Sequence, residues 1–80
     1  METRSEWRTG TVAWFDAAKG FGFIRADDHT EVFVEFGSID QPGYRTLAEG
    51  QQVSFTSSQG RTGDEAVRVR PVTAEHELAA

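Results

Sequence analysis

The segment Lys19–Ile24 reads Lys-Gly-Phe-Gly-Phe-Ile and places two aromatic side chains two residues apart. In an extended strand, residues with this spacing point to the same face, so Phe21 and Phe23 must lie side by side. Gly22 between them has no side chain, and another part of the chain can therefore approach closely on the opposite face. The segment predicts a β-strand with one aromatic face.

A second segment, Val32–Phe36, has the complementary pattern Val-Phe-Val-Glu-Phe. If its valines face a core, Phe33 and Glu35 point outward, and Phe21 and Phe23 can lie beside Phe33. A chain of 80 residues has one small interior and cannot bury both faces of two neighbouring strands. An exposed group of aromatic rings usually marks a binding surface. The pattern leaves open a second interpretation, in which the rings belong to an ordinary two-layer core.

Apolar and polar residues alternate elsewhere in the chain as well, with polar turns between the alternating segments. We predict five strands, at Gly10–Phe15, Gly20–Ala26, Glu31–Phe36, Gln51–Ser57 and Glu65–Arg70. Five short strands without a clear helix favour an all-β sandwich or barrel, and closure into a barrel removes exposed strand edges. The inward positions of the last two strands are predicted to be Val53, Phe55, Val67 and Val69, with Thr56 facing outward and Leu47 closing the core.

The first strand contains a conflict that spacing alone does not resolve. Simple alternation puts Val12 and Trp14 on the same face, so Val12 can be buried with Trp14 exposed only if the strand bends or bulges. Upstream, Trp7 is the single aromatic residue in an otherwise largely polar N-terminal segment. It can lengthen the strand or pack over its edge, and burial is the favoured interpretation.

Charge and composition limit the possible classes of protein. The chain carries 8 Lys and Arg against 13 Asp and Glu, a net charge of −5, whereas nucleic-acid binding usually leaves a basic surface. Part of this excess lies in the tail, because residues 71–80 hold two acids and no Lys or Arg. We predict an N-terminal extension over residues 1–9, one domain over 10–72 and a tail over 73–80. The chain has no cysteine, no apolar run of membrane-spanning length and no signal-peptide pattern, so we expect a cytoplasmic protein without membrane contact.

Residues suited to catalysis or metal binding are sparse. His29 and His76 lie far apart in the sequence, and neither is placed to act with a nucleophile. Asp27, Asp28 and Glu31 could bind a metal, but a solvated hairpin turn is the favoured interpretation. We therefore predict a protein that is not an enzyme and uses no cofactor or metal.

Three stretches, Gly10–Ile24, Val32–Phe36 and Gly43–Phe55, together resemble the bacterial cold-shock domain family. They occur in the order and spacing of that family, and the similarity extends from about residue 10 to residue 72. The resemblance implies a five-stranded antiparallel Greek-key barrel of the OB type that binds single-stranded RNA or DNA. It also implies an RNA chaperone, or a regulator of transcription or translation, in a stress response.

The resemblance implies a set of nucleic-acid contacts on this chain. They are Trp14, Lys19, Phe21, Phe23, Phe33, Glu35, Phe36 and Tyr44. Phe15 occupies another aromatic position of the family but also suits a core. Arg25, Arg45 and Arg61 are candidate phosphate contacts, with solvated surface charge as the alternative. Aromatic platforms suit single strands because every base has a π-face. We expect the protein to be a monomer.

Several positions depart from the family's usual residues toward negative charge. Family members usually carry Lys at the position of Ala13, Asn at Asp16 and His at Glu35, and the loop Gly-Pro-Gln is replaced by Gly63–Glu65. We therefore expect weaker binding than in a typical member, chiefly because Glu35 lies beside Phe33. The alternative hypothesis is a diverged OB-fold module that binds a basic protein, with weak or no binding of nucleic acid.

Overall fold

Five strands close into a barrel in the computed structural model, which describes the backbone of residues 3–40, 46–61 and 63–72 and their side chains from residue 6 onward. The elements are β1 (Thr3–Asp16), β2 (Phe21–Ala26), β3 (Glu31–Glu35), a 3-10 turn (Phe36–Ser38), β4 (Gln52–Gln59) and β5 (Asp64–Pro71). The strand order around the barrel is β1-β2-β3-β5-β4. The predicted all-β, five-stranded barrel is confirmed.

The barrel is built from antiparallel neighbours and closed by one short parallel contact. β1 pairs with β2 and β4, β2 with β3, and β4 with β5, all antiparallel. β3 and β5 run parallel and pair only at Val32 with Asp64 and at Phe33 with Glu65. This closing contact brings the loop after β4 next to the outward face of β3.

A β-bulge at Ala13 resolves the conflict in the first strand. Val12 pairs with Ile24 of β2, but Trp14 pairs with the next residue, Phe23, so Ala13 has no residue opposite it. An extra residue of this kind re-aims the side chains that follow it. Val12 is therefore buried in the core, whereas Trp14 is 43% exposed on the outer face.

The interior is aliphatic apart from one fully buried phenylalanine, Phe55. The buried apolar residues are Val12, Ile24, Ala26, Val32, Val34, Ile39, Leu47, Val53, Phe55, Ala66 and Val69, and Phe15 packs against them. The prediction that Val53, Phe55, Val69 and Leu47 face the core is confirmed.

The predicted orientations of Val67 and Thr56 were wrong. Thr56 pairs with Arg68, but Ser57 pairs with Ala66, so Val67 is the extra residue of a second bulge and is 43% exposed. Ala66 takes the inward place instead. Thr56 is buried, and it lies opposite the irregular stretch of β1 between Arg4 and Arg8, where the register of β1 and β4 also shifts.

The first strand begins at Thr3, well before the predicted Gly10, and Arg8 ties this added length to the barrel. The guanidinium of Arg8 lies 5.1 Å from the ring centre of Phe55 and donates a hydrogen bond of 2.9 Å to Ser57 Oγ. It also forms ion pairs with Asp64 at 3.3 Å and Asp28 at 3.5 Å. The Arg8 side chain is only 11% exposed, so these contacts are partly shielded from water.

The backbones of β1 and β2 come into close contact at Gly22. A Cβ atom at this position would collide with the carbonyl oxygen of Trp14 and would lie 2.7 Å from Cα of Phe15. Both obstacles are main-chain atoms and cannot rotate away. The glycine between the two phenylalanines thus allows β2 to pack on β1 directly behind the aromatic face, as the sequence predicted.

We expect Gly22→Ala to lower the free energy of unfolding by about 1–3 kcal/mol or more, because the new methyl group forces two strands apart. Gly37→Ala is the matched control, since a Cβ at Gly37 meets no atom within 4 Å. It should change stability by no more than about 0.5 kcal/mol. Urea unfolding followed by circular dichroism measures both, and equal stability of the two variants would contradict this account of the β1–β2 contact.

Candidate functional site

Four aromatic rings form a closed cycle of contacts on the outer face of β1, β2 and β3. Trp14 contacts Phe21 and Phe23, each with ring centroids 5.7 Å apart. Phe33 completes the cycle, with centroid distances of 5.9 Å to Phe21 and 5.7 Å to Phe23. We call these four residues the ring cluster. The strand register explains it, because Phe23 pairs with both Trp14 and Phe33 across its two neighbouring strands.

The rings of the cluster do not stack on one another. Their interplanar angles are 70°, 51°, 33° and 70°, so the contacts are tilted or edge-on. Aromatic pairs commonly adopt such geometries, because the positive edge of one ring is attracted to the negative face of the next. A ring held by its edges retains face area for a planar ligand, and Trp14 in particular is 43% exposed.

Phe36 lies beside the ring cluster at the end of β3. It would share the inward orientation of Val32 and Val34 if the strand continued, but β3 ends at Glu35 and a 3-10 turn begins. The Phe36 side chain is therefore 56% exposed. Its amide donates to the carbonyl of Gly20 at 2.8 Å, and its ring covers Gly20, whose φ of 79° is a backbone conformation that favours glycine. Lys19 is exposed in the same turn.

Asp16 shapes the turn that carries Lys19. Its Oδ1 atom accepts hydrogen bonds of 3.0 Å from the amides of Ala18 and Lys19, and its carbonyl accepts one from Gly20. This arrangement is typical of an Asx turn, in which a short polar side chain replaces a backbone acceptor. An asparagine would offer the same acceptor, so the aspartate adds a negative charge without changing the turn.

The carboxylates of Glu35, Asp64 and Glu65 are all expected on the binding side, but they do not all lie beside the ring cluster. Asp64 faces the other way and is paired with Arg8, so it adds no charge to the ring cluster. Glu35 is exposed opposite Phe21, on the same face of β3 as Phe33. Glu65 pairs with Phe33 across the parallel closing contact, and its carboxylate lies against Gly60. Within the described residues, neither Glu35 nor Glu65 forms an ion pair.

The remaining predicted contacts are dispersed. Arg25 is exposed on the outer face of β2 and lines a groove with Thr11, Ala13 and Glu49. Arg61 lies in the loop between β4 and β5 beside Glu65. Phe15 points inward and packs against the core, as the alternative for that residue suggested. Tyr44 and Arg45 lie outside the described residues.

The described part of the chain contains neither a group of metal ligands nor a membrane-spanning helix. No group of three or more His, Asp or Glu side chains there is placed to hold a metal ion. Asp27 accepts a hydrogen bond from Thr9, and Asp28 accepts one from the amide of Thr30, which fits the hairpin-turn interpretation. No helix in the same residues has the length and apolarity to cross a membrane.

Comparison with known proteins agrees with this geometry. Residues 8–72 match the family model described as the "'Cold-shock' DNA-binding domain". The chain belongs to the cold-shock domain family. It is 50% identical over 64 residues to cold shock protein 2 of Lactiplantibacillus plantarum, covering 80% of this chain and 97% of the relative. It is 53% identical over 66 residues to the cold shock-like protein CspA of Vibrio cholerae, covering 81% of this chain and 94% of the relative.

A solved structure shows the same cold-shock fold at low sequence identity. The structure described as "drosophila Unr CSD456" superimposes with a TM-score of 0.71 at 24% identity, over 86% of this chain and 28% of that one. At this identity the likeness shows the fold alone. The OB-type barrel that the resemblance implied is confirmed.

We expect Asp16→Ala to lower the free energy of unfolding by about 1 kcal/mol, because the amides of Ala18 and Lys19 lose their acceptor. Asp16→Asn keeps the acceptor and should stay within about 0.5 kcal/mol of the parent protein. Urea unfolding of the three proteins distinguishes the two effects. If asparagine destabilises as much as alanine, the charge of Asp16 and not its acceptor atom holds the turn.

Proposed function

We propose that this protein binds single-stranded RNA or DNA by stacking bases on the ring cluster. The observation that carries the proposal is the cycle of tilted and edge-on contacts among Trp14, Phe21, Phe23 and Phe33, which leaves ring surface open on one side of the barrel. Every base has a π-face, and each stacked base contributes about 1–3 kcal/mol. The bases of a duplex already stack on each other, so the surface selects single strands.

Other residues extend the proposed interface at its edges. Phe36 adds an exposed ring next to the turn, and Lys19 adds a cation within the same turn. Tyr44 matches a further aromatic position of the cold-shock family. Arg25 and Arg61 would contact phosphates, since both are exposed beside the outer face.

The action that follows from such binding is that of an RNA chaperone. A protein that binds only the open form of an RNA hairpin shifts the equilibrium toward that form by mass action. The process needs no covalent step, so we propose a protein without enzymatic activity. It would act as a monomer in the cytoplasm during a stress response, with 10–72 as its functional domain.

We expect oligo-dT of about six nucleotides, a length within the range that OB folds bind, to quench the fluorescence of Trp14. The measurement uses Trp7→Phe, because in that variant Trp14 is the only tryptophan. Stacking a base on an exposed indole quenches its emission.

Trp14→Phe is the control, because it leaves only Trp7, which lies outside the ring cluster, and keeps an aromatic ring at position 14. The short oligonucleotide should leave its emission unchanged. Absence of quenching in Trp7→Phe at low salt and micromolar protein would reject the proposal. That result would favour a basic protein as the ligand.

We expect Glu35→His to bind the same oligonucleotide more tightly, by roughly three- to tenfold, which corresponds to about 1 kcal/mol. The substitution removes a carboxylate beside Phe33 and supplies a ring that can stack. Glu6→Gln removes one exposed negative charge from a different strand, β1, and is the control for overall charge. Fluorescence anisotropy measures all three affinities. Equal or weaker binding by Glu35→His would show that Glu35 does not oppose the ligand.

A further inference from the structure

A second aromatic and cationic surface lies on the β4–β5 side of the barrel. The guanidinium of Arg70 stacks on the indole of Trp7, 4.5 Å from the ring centre. Asp40 binds both Arg70 Nε, at 3.3 Å, and Arg68 Nη2, at 3.2 Å. We call Trp7, Arg68 and Arg70 the Trp7 surface. The sequence favours burial of Trp7, and the structure contradicts this prediction, because the residue is 42% exposed.

The charge of the Trp7 surface contrasts with that of the ring cluster. Two arginines against one aspartate leave a net positive charge here, whereas Glu35 and Glu65 flank Phe33 on the other face. The hydrogen bond from Arg70 holds the pKa of Asp40 below its ordinary value, so that carboxylate remains ionised and keeps both guanidinium groups in place. Two cations therefore lie together on this side of the barrel, next to an exposed indole.

The Arg70 side chain is arranged to bind an anion. Its stacking on Trp7 and its bond through Nε fix the plane of the guanidinium. Within the described residues, its two terminal nitrogens have no hydrogen-bond acceptor. A planar guanidinium with free terminal N–H groups binds a phosphate or carboxylate through two parallel hydrogen bonds. A groove of about 400 Å³ adjoins it, lined by Trp7, Asp40, Ser54, Pro71 and Val72.

The two surfaces are joined along β1. Trp7 and Trp14 lie on the same strand, and at about 3.3 Å per residue their Cα atoms are at most roughly 23 Å apart. Between them β1 exposes Thr9 and Thr11, which pair with Ser54 and Gln52 of β4. On the β2 side of the path, Asp27 accepts a hydrogen bond from Thr9, and Arg25 pairs with Thr11. Ser54 and Gln52 on its β4 side are neutral and polar, and Glu49 lines a groove with Thr11 at the end of the path nearer Trp14.

We infer that the Trp7 surface binds a second segment of the same single strand, with Arg68 and Arg70 on its phosphates and a base against Trp7. The inference rests on the proposed function, because it extends a ligand already held by the ring cluster. Linking two weak contacts through one ligand raises the overall affinity without any change at either contact. Ligands long enough to reach both surfaces are therefore bound more tightly than short ones.

The test compares oligo-dT of about six and about fifteen nucleotides, both within the range of OB-fold site sizes, by fluorescence anisotropy with limiting oligonucleotide. The variant Arg68→Gln/Arg70→Gln should bind the short oligonucleotide as the parent protein does. The double variant should bind the long oligonucleotide about tenfold more weakly than the parent protein does. Its negative slope of log K against log salt should be shallower by about 1.4, which is two phosphates at about 0.7 each. A long oligonucleotide offers more binding registers than a short one, which raises its apparent affinity. This statistical factor is the same for both proteins, so it cancels when they are compared.

A spectroscopic readout supports the test independently of charge. In Trp14→Phe the only tryptophan is Trp7, so the long oligonucleotide should quench its emission and the short one should not. The inference would be overturned if the parent protein and the double variant gained the same affinity from the longer oligonucleotide. It would also be overturned if the long oligonucleotide left the emission of Trp7 unquenched. Either result would favour a protein as the ligand of this surface. Failure of the short oligonucleotide to bind the parent protein would instead reject the proposed function itself.

Discussion

The extra residue at Ala13 turns β1 so that Val12 reaches the core while Trp14 reaches the outer face. The ring cluster depends on this change of direction, because Trp14 supplies two of its four contacts. Gly22 completes the arrangement from the neighbouring strand. Only a residue without a side chain lets β2 lie on the main chain of Trp14 and Phe15, and Phe21 and Phe23 on its two sides in the sequence both contact the indole. One bulge and one glycine thus give a small barrel an aromatic face without taking residues from its core.

The alternation of apolar and polar residues predicted side-chain orientations that depend on a single strand. It failed for orientations that depend on the register between two strands. The outward positions of Phe21, Phe23 and Phe33 follow from a period of two, and the structure brings these rings together. The bulge at Val67 does not follow from it, because an extra residue is defined only by the register with β4. The same holds for Glu65, which reaches Phe33 through a parallel contact between distant parts of the chain. No local signal could have revealed that neighbour.

Charge is separated across the barrel in a way that net charge conceals. Asp16 is engaged in a turn, Asp64 is paired with Arg8, and Asp40 holds two arginines, so each of these acids has a structural task. Glu35 and Glu65 flank the rings, while Arg68 and Arg70 lie on the β4–β5 side. A net charge of −5 therefore describes solubility better than it describes any one face. In this protein the arrangement of charges carries more information than their sum.

Arg8 also bears on the lifetime of the folded state. Its bonds to Asp28, Ser57 and Asp64 span 20, 49 and 56 residues, so they can form only when distant strands have already met. Closing such long loops costs entropy before any contact compensates for it, which places the Arg8 bonds late in folding. Interactions that are absent from the transition state slow unfolding and leave the folding rate nearly unchanged. We therefore expect the Arg8 bonds at the extended end of β1 to slow unfolding while leaving the folding rate nearly unchanged.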